Sequence, residues 1–181
     1  TAILVEPEIP ENTGFIARLA ANFYFQLRIV NPGFNLSEAR KTAKNAQEKL
    51  RNAEIYDTVE DAVKDLNYVV GTKPGRGQKI HEFTPRDNTS VMIGRESSGL
   101  TNDELDMCDA VVEIETSGYE SINQSHAAAI LFHRFNHSDT PGINKGQKEK
   151  LGEIAPETVF EAVVESNPSD KKAGQIISEL K

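Results

Sequence analysis

The sequence has few of the features on which secreted, membrane and zinc proteins depend. It contains a single cysteine, Cys108, which excludes an internal disulfide and cannot form a zinc site by itself. No run approaches the roughly 18 apolar residues of a membrane span. The start of the chain lacks the basic flank of a signal peptide. These absences predict a soluble, cytoplasmic protein with no membrane partner.

Signatures of metal and nucleotide cofactors are also missing. The four histidines show neither a His-x-x-x-His pairing with a helical glutamate nor a nearby cysteine pair, so we expect no catalytic metal. No Gly-Lys-Ser/Thr follows the glycines at the spacing of a phosphate-binding loop, and no Gly-x-Gly-x-x-Gly follows the first predicted strand. The sequence therefore excludes a P-loop enzyme and disfavours NAD as a cofactor.

Acidic residues outnumber basic ones, and the formal net charge is −8. An acidic chain argues weakly against a nucleic-acid partner, because phosphates bind Lys and Arg. Two local clusters oppose that average, and each can be either an ordinary solvated surface or a phosphate-binding one. They are Arg40, Lys44 and Arg51 near one face of a predicted helix, and Lys73, Arg76, Lys79 and Arg86 in a glycine-rich stretch.

Short apolar runs alternate with amphipathic stretches along the first three quarters of the chain. The apolar runs predict strands over residues 2–5, 27–30, 54–57, 68–72, 91–94 and 110–114. Helices are predicted over 15–23, from a cap at Ser37 to about 52, from a cap at Thr58 to 66, from a capping box at Thr101, and over 124–135. This alternation predicts an α/β fold, a mostly parallel sheet with helices on both faces.

The character of the sequence changes near residue 137. Residues 136–146 are rich in turn formers and predict a linker. Residues 156–165 and 173–180 predict two short amphipathic helices, which together are too small to fold alone. We therefore predict a domain over residues 1–137 and a linker with a short helical extension over 138–181.

Three segments place small or polar residues where a predicted strand should give way to a helix. They are NTGFIAR at residues 12–18, IGRESSGL at 93–100 and SINQSHAAAI at 121–130. Open α/β sheets bind ligands at such junctions, where free backbone N–H groups and side chains meet on one rim. Three of them in one chain predict a functional site.

In order and spacing, these segments resemble the three motifs of the SpoU (TrmH-type) methyltransferases of the SPOUT class, over about residues 2–135. The flanking sequences Val5-Glu6-Pro7 and Asn22-Phe23 are closest to the TrmJ-like branch. The resemblance implies an S-adenosylmethionine-dependent 2′-O-ribose methyltransferase with a C-terminal trefoil knot, an exception to unknotted topology. It also implies a homodimer that acts on RNA and not on DNA, with a pyrimidine of the tRNA anticodon loop as the expected target.

The resemblance also assigns roles to individual residues. The catalytic set that it implies is Arg18, Asn12, Glu96, Ser121 and Asn123. The cofactor-binding set that it implies is Gly71, Thr72, Lys73, Gly94, Glu96, Ile114, Ile122, Ser125 and Ala127. These residue types fit the task, because glycines at strand ends allow close approach of a ligand, and two isoleucines can enclose an adenine ring.

Several of these residues also have structural interpretations. Asn123 and Ser125 can cap the last helix, and Glu96 can bond the N–H groups of its own loop or orient Asn12 and Arg18. Arg18 can be a surface residue, a bidentate phosphate clamp or the general base proposed in some accounts of the family. A guanidinium rarely gives up its proton, so we favour the clamp.

Other functions stay open at this point: an rRNA target, a non-catalytic RNA-binding relative, and a nucleotide-dependent oxidoreductase. The intact Gly94, Glu96, Ser121 and Asn123 argue against the non-catalytic relative, which would lose the cofactor cleft. The third motif departs from the family pattern, because Gln124-Ser125-His126 stands where many relatives carry more apolar residues. The contacts made after Asn123 are therefore the least determined part of the predicted site.

Overall fold

A computed structural model describes residues 1–86, 88–136, 150–151, 153 and 176–178. The chain divides into two units, Thr1–His137 and Ser138–Lys181, and every named strand and helix belongs to the first. The predicted linker and the two tail helices lie largely outside the described residues. Within the described residues, no helix combines the length and the apolar character needed to traverse a bilayer.

The first unit is built on a seven-stranded sheet in which every neighbouring pair of strands is parallel. The order across the sheet is β3-β2-β1-β6-β4-β7-β5. The expected mostly parallel α/β sheet is confirmed; only the exposed, two-residue β5 was not predicted, because it carries no apolar run. The strands are β1 Ala2–Val5, β2 Leu27–Val30, β3 Glu54–Tyr56, β4 Val69–Thr72, β5 Gln78–Lys79, β6 Ser90–Ile93 and β7 Ala110–Glu113.

Six α-helices cover both faces of the sheet, as predicted. Alternate residues of a strand point to opposite sides, so Ala2 and Leu4 of β1 join one core while Ile3 and Val5 join another. The first core includes α1, α2, α3 and α6, and the second includes α4 and α5. The helices are α1 Pro10–Asn22, α2 Leu36–Ala43, α3 Gln47–Arg51, α4 Val59–Val63, α5 Asn102–Asp106 and α6 Gln124–Asn136.

The helix predicted from Ser37 to about residue 52 is two helices. Asn35 is the N-cap, because its side chain accepts a hydrogen bond from Ser37 N at 2.9 Å, and Glu38 completes a capping box. Lys44 has a φ of +47°, which ends α2 and leads through a short 3₁₀ turn into α3. The predicted caps at Thr58 and Thr101 are confirmed.

α1 begins at Pro10, earlier than predicted, because its first turn buries polar rather than apolar side chains. Asn12 and Thr13 are both buried there. One residue further on, α1 meets α2 at Gly14, where a Cβ atom would lie well under 3.0 Å from Ala39 O and Thr42 Oγ1. The close crossing of the two helices therefore requires a glycine and carries α2 over the first motif.

Candidate active site

The first motif opens α1 and is held by the loop that follows β6. The N-cap residue Ile9 makes no side-chain cap, although a helix start has free N–H groups to satisfy. The Glu96 carboxylate supplies the acceptors: it accepts hydrogen bonds from Glu8 N at 2.8 Å, Ile9 N at 3.2 Å and Asn12 Nδ2 at 3.1 Å. Glu96 therefore caps α1 and orients Asn12 at the same time.

The third motif extends this row of hydrogen bonds. Asn123 Nδ2 donates to Asn12 Oδ1 at 3.1 Å. Asn123 Oδ1 accepts from Ser125 N at 2.9 Å and from Ser125 Oγ at 2.8 Å, which is a capping arrangement at the start of α6. The row Glu96–Asn12–Asn123–Ser125 thus joins the three motifs. Asn123 caps α6, whereas Glu96 orients Asn12 and bonds the N–H groups that precede α1 instead of those of its own loop.

A cleft of about 420 Å³ opens beside this row, beyond the carboxyl ends of β4, β6 and β7. This is the edge at which open parallel sheets bind ligands. Most of the residues predicted to bind a cofactor line it, and Ser121 of the predicted catalytic set does so too. Those cofactor residues are Thr72, Lys73, Gly94, Glu96, Ile114, Ile122 and Ala127.

Two residues predicted for the cleft lie elsewhere. Gly71 lies beneath it within β4, where a Cβ atom would be 2.8 Å from Cys108 Sγ and 3.1 Å from Leu105 Cδ2. The absence of a side chain at residue 71 therefore allows the sheet to pack closely against α5 and against Cys108, which follows that helix. Ser125 lines a neighbouring pocket and bonds to Asn123 instead of facing the cleft.

Gly94 lines the cleft, but the fold of its own loop also requires a glycine. A Cβ atom at this position would lie well under 3.0 Å from backbone atoms of Gly99 and Leu100. The loop folds back at that point, since Arg95 and Gly99 form an antiparallel bridge and Gly99 has a φ of +67°, a conformation that favours glycine. Close approach of a ligand, the reason predicted for Gly94, is therefore not its only role.

Arg95 anchors the same loop, and the sequence reasoning missed it. Its guanidinium donates to Glu6 Oε2 at 2.7 Å and to the two carboxylate oxygens of Glu104 at 2.8 and 3.0 Å. The hydrogen bond from Arg95 holds the pKa of Glu6 below its usual range. The anchor ties β1, the second motif and α5 together. The only sequence signal for it was opposite charge beside two of the motifs.

A second pocket, of about 450 Å³, lies between α1 and α6 and is lined by the predicted catalytic residues Asn12, Arg18 and Asn123. Arg18 is exposed, and within the described residues its side chain has no hydrogen bond, ion pair or ring contact. Glu96 therefore does not orient Arg18, and the orienting role suggested for it extends to Asn12 alone. Both oxygens of Glu96 accept instead from the start of α1.

Neighbouring residues of the third motif face different pockets. Ser121, Ile122 and Gln124 line the cleft, whereas Asn123 and Ser125 line the second pocket. The two pockets therefore adjoin along the row of hydrogen bonds. A group held in one of them would meet a group held in the other at the paired asparagines.

Gln124 is the residue at which the sequence was least informative. Its side chain is buried, and Nε2 donates to Gly94 O at 2.8 Å, which ties the start of α6 to the end of β6. Among the described residues, Gln124 Oε1 is buried without a partner. Buried polar atoms are nearly always hydrogen-bonded, so this oxygen is an unsatisfied acceptor beneath the surface of the cleft.

The basic glycine-rich stretch beside the cleft is largely engaged within the protein. Lys73 Nζ donates to a backbone carbonyl at 2.9 Å, and Arg76 donates to Asn102 Oδ1 at 2.8 Å. Lys79 pairs with Glu115 at 2.7 Å, and the hydrogen bond between them raises the pKa of Lys79. Of the two basic clusters seen in the sequence, this one therefore has its side chains engaged by other groups of the protein.

Comparison with known proteins relates the chain to one family. A model of the SpoU rRNA Methylase family matches residues 1–133. The chain is 38% identical over 150 residues, 74% of its length, to a tRNA (cytidine-2'-O-)-methyltransferase TrmJ of Methanocaldococcus jannaschii. It spans 65% of the length of that relative.

Solved structures share the fold. TrmJ from Z. mobilis ZM4 matches with a TM-score of 0.67 and 22% identity, covering 100% of this chain and 99% of that one. The SpoU methyltransferase AviRb from Streptomyces viridochromogenes, crystallised in complex with the cofactor AdoMet, matches with a TM-score of 0.64 and 20% identity, covering 75% and 58%. At these identities the likeness concerns the fold alone.

Proposed function

The chain belongs to the SpoU rRNA methylase family, and on that premise we propose that it methylates a 2′-hydroxyl of tRNA with S-adenosylmethionine as the methyl donor. A pyrimidine of the anticodon loop is the expected target. The curated relative from M. jannaschii acts on cytidine in tRNA, which favours tRNA over rRNA. The observation that carries the proposal is the pair of adjoining pockets that meet at Asn12 and Asn123.

The residues of the cleft fit S-adenosylmethionine. Ile114, Ile122 and Ala127 offer an apolar wall to the adenine ring, and the ends of β4 and β6 offer backbone groups to its edges. When bound, this cofactor supplies a methyl group on an electrophilic sulfonium.

Alignment is the main contribution that we assign to the protein's own side chains, because a positioned nucleophile removes much of the entropic barrier. Asn12 is held at both ends of its amide, by Glu96 at Nδ2 and by Asn123 at Oδ1, so it offers a fixed surface for the ribose. Arg18 has no partner among the described residues and lines the same pocket. Its guanidinium can hold the phosphate next to the target ribose with two parallel hydrogen bonds.

Arg18 provides the test of this function. Arg18→Ala should leave the affinity for S-adenosylmethionine near the wild-type value in calorimetry and should reduce methyl transfer by about two orders of magnitude. Arg18→Lys should recover part of the activity, because it keeps the charge and loses the bidentate geometry. Lys64→Ala is the matched control, since this exposed lysine is paired with Asp61 on the distant α4.

Rates measured across pH, with saturating cofactor and an unmodified tRNA transcript, separate a clamp from a general base. A base would let lysine rescue more fully and would shift the pH–rate profile. Wild-type turnover in Arg18→Ala would remove the RNA site from this pocket. Ribose-methylation mapping of the product identifies the nucleotide, and failure of the wild type to methylate any tRNA would overturn the proposed function.

We also propose that this unit contains the trefoil knot and works as a cytoplasmic homodimer. β6 lies between β1 and β4 in the sheet, and α6 packs on α1 after the chain has left β7, an arrangement compatible with threading of the C-terminal part. Phe15 on α1 and Ile130 on α6 are each 41% exposed, which offers an apolar surface to a second copy. A fully active monomer in light scattering would contradict the dimer.

A further inference from the structure

Most basic side chains of the first unit have a partner within the protein, and the exceptions are concentrated in one place. Residues 1–136 contain fourteen Lys and Arg side chains. Nine of them make a hydrogen bond, an ion pair or a ring contact: Arg28, Lys49, Lys64, Lys73, Arg76, Lys79, Arg86, Arg95 and Arg134. Within these described residues, the five without a partner are Arg18, Arg40, Lys41, Lys44 and Arg51.

Four of those five lie on α2, the 3₁₀ turn and α3, and we call them the basic strip: Arg40, Lys41, Lys44 and Arg51. All four are exposed. The segment 36–53 holds only two carboxylates, and that of Glu38 is already part of the capping box of α2. The strip is therefore a locally positive surface on a chain whose net charge is −8.

Folding does not explain the basic strip. Arg40, Lys41 and Lys44 carry like charges within five residues of the chain, and like charges close together repel. Lys44 has a φ of +47°, a conformation that a glycine would adopt with less strain. Neither the clustered positive charges nor the backbone conformation of Lys44 stabilises the folded protein. A partner that binds to the strip explains these residues better.

The position of the strip relates it to the candidate active site. α2 crosses α1 at Gly14, within about one helical turn of both Asn12 and Arg18 on α1. α1 also contacts the 3₁₀ turn that begins with Lys44, and α3. Arg18 therefore lies on a helix, α1, that packs directly against the helices and the 3₁₀ turn that carry the basic strip.

We propose that the basic strip is a docking surface for the phosphate backbone of the RNA substrate, separate from the phosphate that Arg18 holds at the target ribose. The inference rests on the proposed function for the identity of the RNA. Unpaired guanidinium and ammonium groups bind phosphates and release counterions. The exposed side chains of segment 36–53 are all polar, which does not suit a partner that docks through apolar contacts or inserts into a membrane.

The test is the salt dependence of RNA binding. Arg40→Gln, Lys41→Gln, Lys44→Gln and Arg51→Gln are combined in one variant, since glutamine keeps a good helix propensity. Its binding to an unmodified tRNA transcript is followed by fluorescence anisotropy over a range of potassium chloride concentrations. The slope of log K against log salt is negative, and each lost phosphate contact reduces its magnitude by about 0.7 to 0.9. We therefore expect a slope shallower by about 3 and an affinity lower by about tenfold or more at physiological salt.

A pair of double variants provides the matched control. Lys41→Gln with Lys44→Gln removes two unpaired charges, while Lys64→Gln with Lys79→Gln removes two exposed lysines that are paired with carboxylates. We expect the slope to become shallower by about 1.5 in the first double variant and to stay at the wild-type value in the second. Circular dichroism and S-adenosylmethionine calorimetry establish that each variant is folded, and kcat at saturating tRNA should be unchanged while KM rises.

The outcomes separate this inference from the proposed function. A wild-type slope and affinity in the fourfold variant would overturn the docking surface, while methylation by the wild type would leave the proposed function in place. Strip-dependent tRNA binding without methyl transfer would support the surface and overturn the function. Strip-dependent binding to phosphatidylglycerol vesicles, with no effect on tRNA binding, would assign the strip to a membrane and refute the inference.

Discussion

Replacing Gly14 by alanine should destabilise the protein, although alanine is the better helix former. In the interior of a helix, alanine is favoured over glycine by about 1 kcal/mol. At this position the new methyl would lie well under 3.0 Å from Ala39 O and Thr42 Oγ1. The threonine hydroxyl can rotate away, but the carbonyl belongs to the backbone of α2 and cannot.

The size of the effect follows from the displacement that the methyl demands. Carbon and its neighbours pack at about 3.5 Å, so α2 would have to move away from α1 by on the order of 1 Å. Overpacking a core costs about 1 to 3 kcal/mol, and this obstacle is backbone, so the upper end applies. Subtracting the helix propensity, we expect a loss of about 2 kcal/mol, which lowers the urea midpoint by about 1 M.

Urea denaturation of four variants checks this reasoning. Gly118→Ala is the matched control, because nothing lies within 4 Å of a Cβ atom at residue 118, and we expect it within about 0.5 kcal/mol of the wild type. Thr42→Ala combined with Gly14→Ala removes the movable obstacle only, so we expect the double variant to stay less stable than Thr42→Ala alone. A Gly14→Ala protein as stable as the wild type, or one fully rescued by Thr42→Ala, would refute the argument.

Three further predictions concern the site and the fold around it. Gly94→Val should abolish S-adenosylmethionine binding in calorimetry, because any side chain there overlaps the backbone of Gly99; unchanged affinity would place the cofactor elsewhere. Glu96→Gln turns an acceptor of three hydrogen bonds into a partial donor, so it should lower the unfolding free energy by about 2 kcal/mol and slow methyl transfer, and a wild-type urea midpoint would contradict this. A hydrogen bond from Arg28 lowers the pKa of Asp65 from 3.8 to about 2, so its stabilisation is present above about pH 4 and is lost as the pH falls toward 2. Asp65→Asn should therefore lose less stability than the wild type over that window in urea titrations, and identical pH profiles would disprove the assignment.

Local sequence patterns determined the secondary structure wherever the buried residues form a continuous run or recur at helical spacing. The apolar runs of β1 and β2 are buried at every position, and α6 buries Ala128, Leu131 and Phe132 as its spacing predicts. The start of α1 could not be read in this way, because Asn12 is polar and yet buried. Lys44 ends α2 by a backbone conformation that no neighbouring residue signals.

The motif pattern also determined which residues would matter, since a strand that gives way to a helix exposes its end at the same edge as its parallel neighbours. Most of the residues predicted to bind a cofactor do line one cleft. The motif pattern could not say that Gly71 packs beneath that cleft. Packing depends on neighbours that the order of strands decides, and the sequence does not state that order.

Only the tertiary structure decided which polar groups pair. β6 lies beside β1 in the sheet although several elements separate them in sequence. This brings Glu96 to the start of α1 and leaves Arg18 without a partner in the part of the chain that the structure describes. The same holds for the two basic clusters, which look alike in sequence. One is largely engaged within the protein, whereas Arg40, Lys44 and Arg51 of the other face solvent without a partner among the described residues. Periodicity encodes burial one residue at a time, whereas a hydrogen bond needs two groups whose distance is set by the path of the whole chain.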